Sequence, residues 1–394
     1  MTRPLKILHC TSGNLYGGVE TLLATLVRFA PEDARPDFAL CFEGRCGTEL
    51  RRLGATVHPL APVRLSRPWT VWRARRRLRA LLTSHQYDIV VCHGGWPHWI
   101  CAPVVRKLRG AQRPKLIFWL HDLAGGTHWV ERFASATSPD LVVAGSLSAA
   151  RTVPRLFKDA PVEVLHPPVP IPAHAKGTRA AVRRELGLSE RTRLILMASR
   201  LDPLKGHKTL ISSLGALTTN SDWQAWIAGG AQRPFEQDYL EELEHQVNEA
   251  GLAGRVRFLG HRADVSRLMA AADLLCQPNT RAESFGLSFV EALGAGIPVV
   301  TSRIGAAEEI VNEGCGILVP PDDPESLAEA LTSLLDDPDR CQALGAAGPA
   351  RARDLCAPDV TLERLARICQ NLVFPPAPPE FRIQGQGRPA SLIK

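Results

Sequence analysis

Two carboxylates stand in an otherwise nearly uncharged run, RAESFGLSFVEALGAGIPVV (281–300): Glu283 and Glu291, with seven residues between them. The apolar run DLLCQP (273–278) ends just before, so Glu283 falls in a strand-to-helix loop. Ser284 is placed to cap a helix that begins near Phe285. The amides of Phe285, Gly286 and Leu287 then become orphan donors aimed at an anion. On 3.6-residue geometry Glu291 sits about two turns from Glu283 and is rotated by roughly 80°. Both carboxylates can thus approach one cleft from different heights. The plainer alternative is a helix-end charge at Glu283 and a solvated Glu291.

Other segments carry chemistry of a matching kind. In SRLDPLKG, which starts at Ser199, Arg200 and Lys205 precede a helical pattern, and two cations at a helix start suit a diphosphate. An ordinary basic loop reads the same way. Gly17-Gly18 in SGNLYGGVE (12–20) lets backbone approach a ligand or simply turn tightly. His121-Asp122 follow the run KLIFWL, where an imidazole can bond a sugar hydroxyl or move a proton, although a lone histidine is more often structural. Gly229-Gly230 end another strand pattern. His9, His93, His98 and His128 read as structural or peripheral. The segment 64–82 sets Arg64, Arg67, Arg73, Arg75, Arg76, Arg77 and Arg79 among Trp69 and Trp72, which fits a helix lying on anionic lipid. A nucleic acid would accept the same stripe, and a solvated basic helix is the plain reading.

These residues need a scaffold that brings strand ends together. Apolar runs at 6–10, 38–43, 55–60, 88–93, 115–120, 141–145 and 162–166 alternate with helical patterns such as 19–30 and 69–82. That alternation predicts a parallel sheet covered on both faces. The stretch HPPVPIPAHAKG (166–177) lacks periodicity and reads as a linker, because proline disfavours both helix and central strand. Strand patterns then restart at 193–199, 224–229, 256–260, 273–278, 297–302 and 316–320, with helices at 324–337, 339–355 and 359–373. The expectation is two tandem doubly wound α/β domains, 1–172 and 173–358, a helix 359–373 and a disordered tail 374–394 rich in Pro and Gly. Ligands of such sheets bind at the carboxyl ends of the strands, where the residues above lie.

Length and composition agree. The 394 residues exceed one ordinary core, and 45% hydrophobic content supplies buried sheets. The net charge is +7, unevenly spread: residues 1–175 hold 23 Lys and Arg against 12 Asp and Glu, a balance of +11, and the remainder carries −4. The first half therefore faces something anionic. No window approaches the ~18 apolar residues of a membrane span. The N-terminal run reads as a first strand and not a signal peptide. Ten scattered cysteines without CxxC or zinc spacing read as reduced cytosolic thiols. No GxGxxG follows the first strand of either half, which argues against a dinucleotide-dependent dehydrogenase.

Taken in order, the YGGVE turn, the LHD strand end, the SRLDPLKG loop and E283-SFGLSFV-E291 resemble the retaining glycosyltransferases of family 4, the group 1 or glycogen synthase-like enzymes with the GT-B fold. The resemblance spans about residues 5–373. It implies two Rossmann-like domains facing a cleft, with an acceptor domain first and a nucleotide-sugar donor domain second. It further implies that Arg200 and Lys205 neutralise the donor diphosphate with help from the amides of Phe285, Gly286 and Leu287. Glu291 would hold the ribose, Glu283 and His121 the sugar, Gly17, Gly18 and Gly230 would approach the donor, and Phe258, Leu259, Gly260 and His261 would lie beside the base. The helix 359–373 would cross back to the first domain. No metal and no cofactor are implied beyond the nucleotide-diphosphate sugar itself. Partners would be that sugar, a glycan or lipid-linked acceptor and an anionic membrane surface at 64–82, with no nucleic acid, at a cytoplasmic site on the inner face of the membrane. Relatives carry an Asn-Gly-Val type turn where this chain has HPPVP (166–170). An epimerase or sugar phosphorylase on the same fold, or a silent binding protein, are the alternatives.

Overall fold

Each of the thirteen apolar runs forms a strand, and every strand pair is parallel. The computed structural model describes residues 4–14, 17–64, 66–110, 113–171, 177–231 and 233–375. Tyr16 of the YGGVE turn, Leu65 of the basic segment, residues 172–176 of the proline-rich stretch and the tail from residue 376 lie outside the described residues.

The first sheet holds β1 (Ile7–Thr11), β2 (Asp37–Leu40), β3 (Val57–Pro59), β4 (Ile89–His93), β5 (Lys115–Leu120), β6 (Leu141–Ala144) and β7 (Val162–Val164), in the order β3-β2-β1-β4-β5-β6-β7. The second holds β8 (Arg193–Ala198), β9 (Trp223–Ala228), β10 (Val256–Gly260), β11 (Leu274–Gln277), β12 (Val299–Ser302) and β13 (Gly316–Val319), in the order β10-β9-β8-β11-β12-β13. Strand order reverses beside the first strand of each sheet. This is the switch point at which doubly wound sheets open a crevice.

Side-chain alternation assigns each strand residue to a face. In β1 and β4, Leu8, Cys10, Val90 and Cys92 join one core with the helix Gly95–Lys107. On the opposite face Ile89, Val91, Ile117 and Trp119 join the helix Gly18–Phe29. Leu365 and Cys369 of the helix Pro358–Val373 enter that same core, so the chain returns to the first sheet after completing the second. Trp119 is 1% exposed. Burying an aromatic of this size contributes roughly 4–6 kcal/mol before entropy is counted.

The proline-rich stretch is held against the second domain along its described part. Val169 is buried in the second domain's core, and its amide bonds the carbonyl of Cys356 at 2.8 Å.

Candidate active site

The loops at the carboxyl ends of β8 and β11 build a polar cluster. Lys205 Nζ meets Glu283 Oε1 at 2.5 Å. Asn279 Nδ2 donates to Glu283 Oε2 at 2.8 Å, and Gln277 Nε2 lies 3.4 Å from the same oxygen. Gln277 is itself fixed by Ser288 Oγ, which donates to its Oε1 at 3.1 Å. Gln277 and Asn279 are 1% and 2% exposed, so their amides are bound to the protein and not to water. Glu283 is thereby clamped by one cation and two amides.

Backbone shape sets this cluster. Gly206, just after Lys205, has φ +79°, and a Cβ there would fall 1.8 Å from the Pro278 carbonyl oxygen. The two loops touch backbone to backbone, which is why Lys205 reaches Glu283. At Gly286, φ is +101° and the ring of Phe289 fills the space a Cβ would take.

That second glycine corrects the expected cap. Ser284 does not begin the helix; Gly286 is its N-cap and the helix runs Leu287–Gly294. Glu283 is therefore not on the helix, and the 80° helical offset from Glu291 does not apply. Ser284 instead gives its carbonyl to Ser146 Oγ at 2.6 Å, across the cleft from β6. Ser146 also caps the short helix Leu147–Ala150 by accepting from Ala149 N at 3.0 Å.

Two helix N-termini meet at the cleft. A Cβ on Gly18, the first residue of Gly18–Phe29, would stand 3.3 Å from Leu287, the first residue of Leu287–Gly294. The positive ends of the two helix dipoles are thus neighbours. Glu20 already binds the Gly17 amide at 2.9 Å, an internal use of one of these donors.

Charges from both domains converge there. Desolvation within the cleft raises the Asp122 carboxyl above the ordinary range, while Arg200 lowers it and Glu131 and Glu283 raise it. Glu291 keeps exposed surface as a residue, and desolvation of its carboxyl pushes its pKa up as well. Arg200 stands at the rim: its side chain is 66% exposed and pairs with Asp202 at 3.6 Å, and it does not join the Lys205–Glu283 pair. Gly230 packs against the His261 backbone, with 2.7 Å from its ideal Cβ to the His261 amide. Phe258 and Leu259 are half-buried, His261 is exposed, and Gly260 closes β10 with its carbonyl bonded to Gly229 N at 3.0 Å.

His121 brings the main revision. Its Nε2 lies 2.8 Å from His93 Nδ1, and His93 Nε2 lies 2.8 Å from His9 Nδ1. His93 and His9, read from sequence as structural or peripheral, are buried and hydrogen-bonded in a row to His121. Burial lowers His121 to about 4 and His9 to about 3, and lowers His93 well below the usual histidine range with help from its two neighbours. All three are neutral imidazoles near pH 7. His98 is a core residue bonded to the Thr137 carbonyl at 2.7 Å. His128 caps the helix Trp129–Ser135.

Sequence reasoning also missed Gln277, Asn279, Ser146 and Glu309. Two amide side chains bracketing a proline at the end of an apolar strand were the available signal for the first pair. Glu309 accepts from the Leu147 and Ser148 amides at 2.7 and 2.8 Å and lies 3.4 Å from His166 Nε2, a contact between domains that no spacing reveals. The sulfurs of Cys10, Cys92 and Cys101 lie within 4.8 Å of one another in the apolar core. Their thiols are shifted well upward, Cys92 chiefly by burial, and all ten cysteines are free and buried.

Residues 16–171 match the family model for Glycosyltransferase Family 4, and residues 178–351 that for Glycosyl transferases group 1. The GDP-mannose-dependent alpha-(1-6)-phosphatidylinositol monomannoside mannosyltransferase of Mycobacterium tuberculosis is 31% identical over 292 residues, 69% of this chain and 73% of that protein. A monoacylated-lipid counterpart from Corynebacterium glutamicum is 33% identical over 49% of this chain and 51% of its own length. The lipopolysaccharide core mannosyltransferase LpsB of Rhizobium meliloti is 31% identical over 50% and 56%. The chain spans about half the length of these last two relatives. Among solved structures, Anabaena HepE in complex with UDP-glucose superposes with a TM-score of 0.79 at 26% identity, covering 93% of this chain and all of that one. A glycosyltransferase from Rickettsia africae shares the fold at TM-score 0.83 and 16% identity, covering 95% and 100%. The two facing Rossmann-like domains are thus the GT-B fold, and the chain belongs to the family 4 glycosyltransferases.

Proposed function

We propose that this chain is a retaining, metal-independent glycosyltransferase that moves a hexose from a nucleotide-diphosphate sugar to a glycan or lipid-linked acceptor in cell-surface polysaccharide or glycolipid synthesis. The observation that carries the reading is the meeting of two helix N-termini beside the clamped Lys205–Glu283 pair. Those N-termini and Lys205 suit a diphosphate, and a carboxylate held by two amides suits a sugar. Arg200 joins by leaving its exposed pair with Asp202, a pair of little energetic value. Glu291 takes the ribose hydroxyls, and His121 and Glu283 the hexose. Gly230 and Phe258–His261 form the base wall.

The bond between the anomeric carbon and the diphosphate oxygen breaks as the acceptor oxygen bonds the same face of that carbon. The leaving phosphate oxygen takes the acceptor's proton. Protein groups position the partners and stabilise the departing negative charge.

The relatives' names supply two donors to try, GDP-mannose and UDP-glucose. A panel of nucleotide sugars scored by released nucleoside diphosphate, with proton NMR of the product's anomeric centre, tests the reading. Inverted configuration, or epimerised donor without transfer, overturns it.

The acceptor reading draws on the first domain's surface. Trp69 and Trp72 on the helix Pro68–Ser84 are 58% and 63% exposed, and Trp129 and Phe133 are 40% and 51%. Arg76 lies over Trp72 at 5.4 Å and Arg75 over Trp99 at 5.7 Å. Among the described residues no helix is long and apolar enough to cross a membrane. Exposed tryptophans among arginines suit an anionic bilayer surface, which supports a peripheral site at the cytoplasmic face. Flotation with phosphatidylglycerol vesicles should recover the protein, and Trp69→Ala with Trp72→Ala should release it. Equal flotation of the double variant removes the membrane assignment.

A further inference from the structure

Three histidines lie on one diagonal of the first sheet. His9 on β1 pairs in register with Val91 of β4, two residues before His93. His93 pairs with Trp119 of β5, two residues before His121. Residues two apart share a face, so all three side chains stand on the same side of adjacent strands. Each step also climbs toward the carboxyl edge, from the buried interior at His9 to the cleft at His121.

The rings are joined end to end. His9 and His93 have centroids 5.1 Å apart with planes 22° apart, and His93 and His121 5.1 Å and 13°. With nitrogens 2.8 Å apart at both junctions, the imidazoles share nearly one plane and point their nitrogens at each other. Trp119 lies 5.3 Å from His93 at 25° and packs against the middle ring.

A neutral imidazole has one N–H and one lone-pair nitrogen. His93 spends both nitrogens on its neighbours, so it donates to one and accepts from the other. The row therefore has a direction. If His93 donates to His121, then His121 Nε2 is a lone pair and its Nδ1 carries the proton. His9 Nδ1 must then donate inward to His93. Reversing any one ring reverses all three.

We infer that His93 and His9 are positioning residues that lock the tautomer of His121 into the row, where it changes only if all three rings reverse together, so that His121 offers its donor one defined hydrogen-bonding nitrogen. This rests on the reading that His121 touches the sugar. A histidine free to exchange tautomers would spend part of its time offering the wrong group, and the wrong group leaves a buried hydroxyl unpaired. The row removes that loss without placing a charge in the cleft.

Nitrogen-15 histidine spectra of the full chain test it. The wild type should show His121 as a single neutral tautomer, one protonated and one lone-pair nitrogen. His93→Phe keeps the packing on Trp119 and removes both bonds; His121 should move to an averaged mixture, with kcat lower by about tenfold. His93→Asn places an amide where Nδ1 stood and restores a hydrogen bond to His121, so it should return part of the rate, while the tautomer stays mixed because an amide turns to donate or accept. His93→Gln reaches only His9 and should restore neither. Unchanged His121 signals in H93F, or H93Q matching H93N, overturns the inference. Should H93F not fold, the Asn and Gln variants decide it. His121→Ala with undiminished kcat would instead refute the contact with the sugar and leave the tautomer measurement standing.

Discussion

Ser146 Oγ donates to the carbonyl of Ser284 at 2.6 Å, so the residue beside Glu283 is held from the opposite domain. The same hydroxyl caps Leu147–Ala150, whose first amides Glu309 accepts from the second domain. The loop that carries Glu283 is thus bonded to the first domain. Ser146→Ala should weaken donor binding about fivefold, the worth of one neutral hydrogen bond. Calorimetric titration with the donor found by the panel measures it, and an unchanged Kd would separate Glu283 from domain contact.

Lys205 has a carboxylate partner in Glu283 and, in the proposed complex, a phosphate partner. Removing its ammonium takes away a charge-assisted bond worth roughly 1.5–3 kcal/mol, a tenfold to hundredfold loss. Lys205→Ala should raise the Kd for the free nucleoside diphosphate by that factor. Arg200→Ala should cost less, because its guanidinium is mostly solvated. A larger effect at Arg200 than at Lys205 would invert the assignment.

Glu291 offers a trade between function and stability. Desolvation raises its carboxyl above the unfolded value, so the folded protein disfavours the charged form. The resulting penalty is absent at low pH and grows as pH rises through the window between the two values. Glu291→Gln should therefore raise Tm at pH 7 and have little effect at pH 4. Nucleotide affinity should fall in the same variant. Thermal denaturation at both pH values checks the sign, and a lower Tm at pH 7 contradicts it.

The buried histidines make stability fall on acidification. His9, His121, His98 and His207 have values lowered by burial to about 3, about 4, about 4 and about 4. Above pH 6.5 neither state binds these protons. Below it the unfolded chain gains protons that the folded chain refuses, and stability is lost down to the folded values. Denaturant unfolding between pH 7 and 4.5 should show this slope. His98→Phe should flatten it by about one proton. An unaltered slope would place His98 in contact with water.

The scaffold was readable because each strand is a short apolar run bounded by polar residues, and parallel strands buried on both faces write that signal plainly. KLIFWL and VRFLG match their strands residue for residue. Lys205 and Glu283 were legible through their places at strand ends. The cap was misread because Ser284 has the right chemistry for it, whereas the choice was made by φ at Gly286 and by the Phe289 ring. The row from His9 through His93 to His121 was hidden for another reason: it depends on the register between strands, with His93 84 residues from His9 and 28 from His121, and no local pattern encodes that.

The chain passes between the two cores twice, once between Leu165 and Val169 and once between Cys356 and Leu365. The bond from Val169 N to Cys356 O ties those passages to each other. Two crossings fastened at one point gather the covalent links between the cores into a single place, and the bonds of Ser146 to Ser284 and of Leu147 to Glu309 join the domains elsewhere.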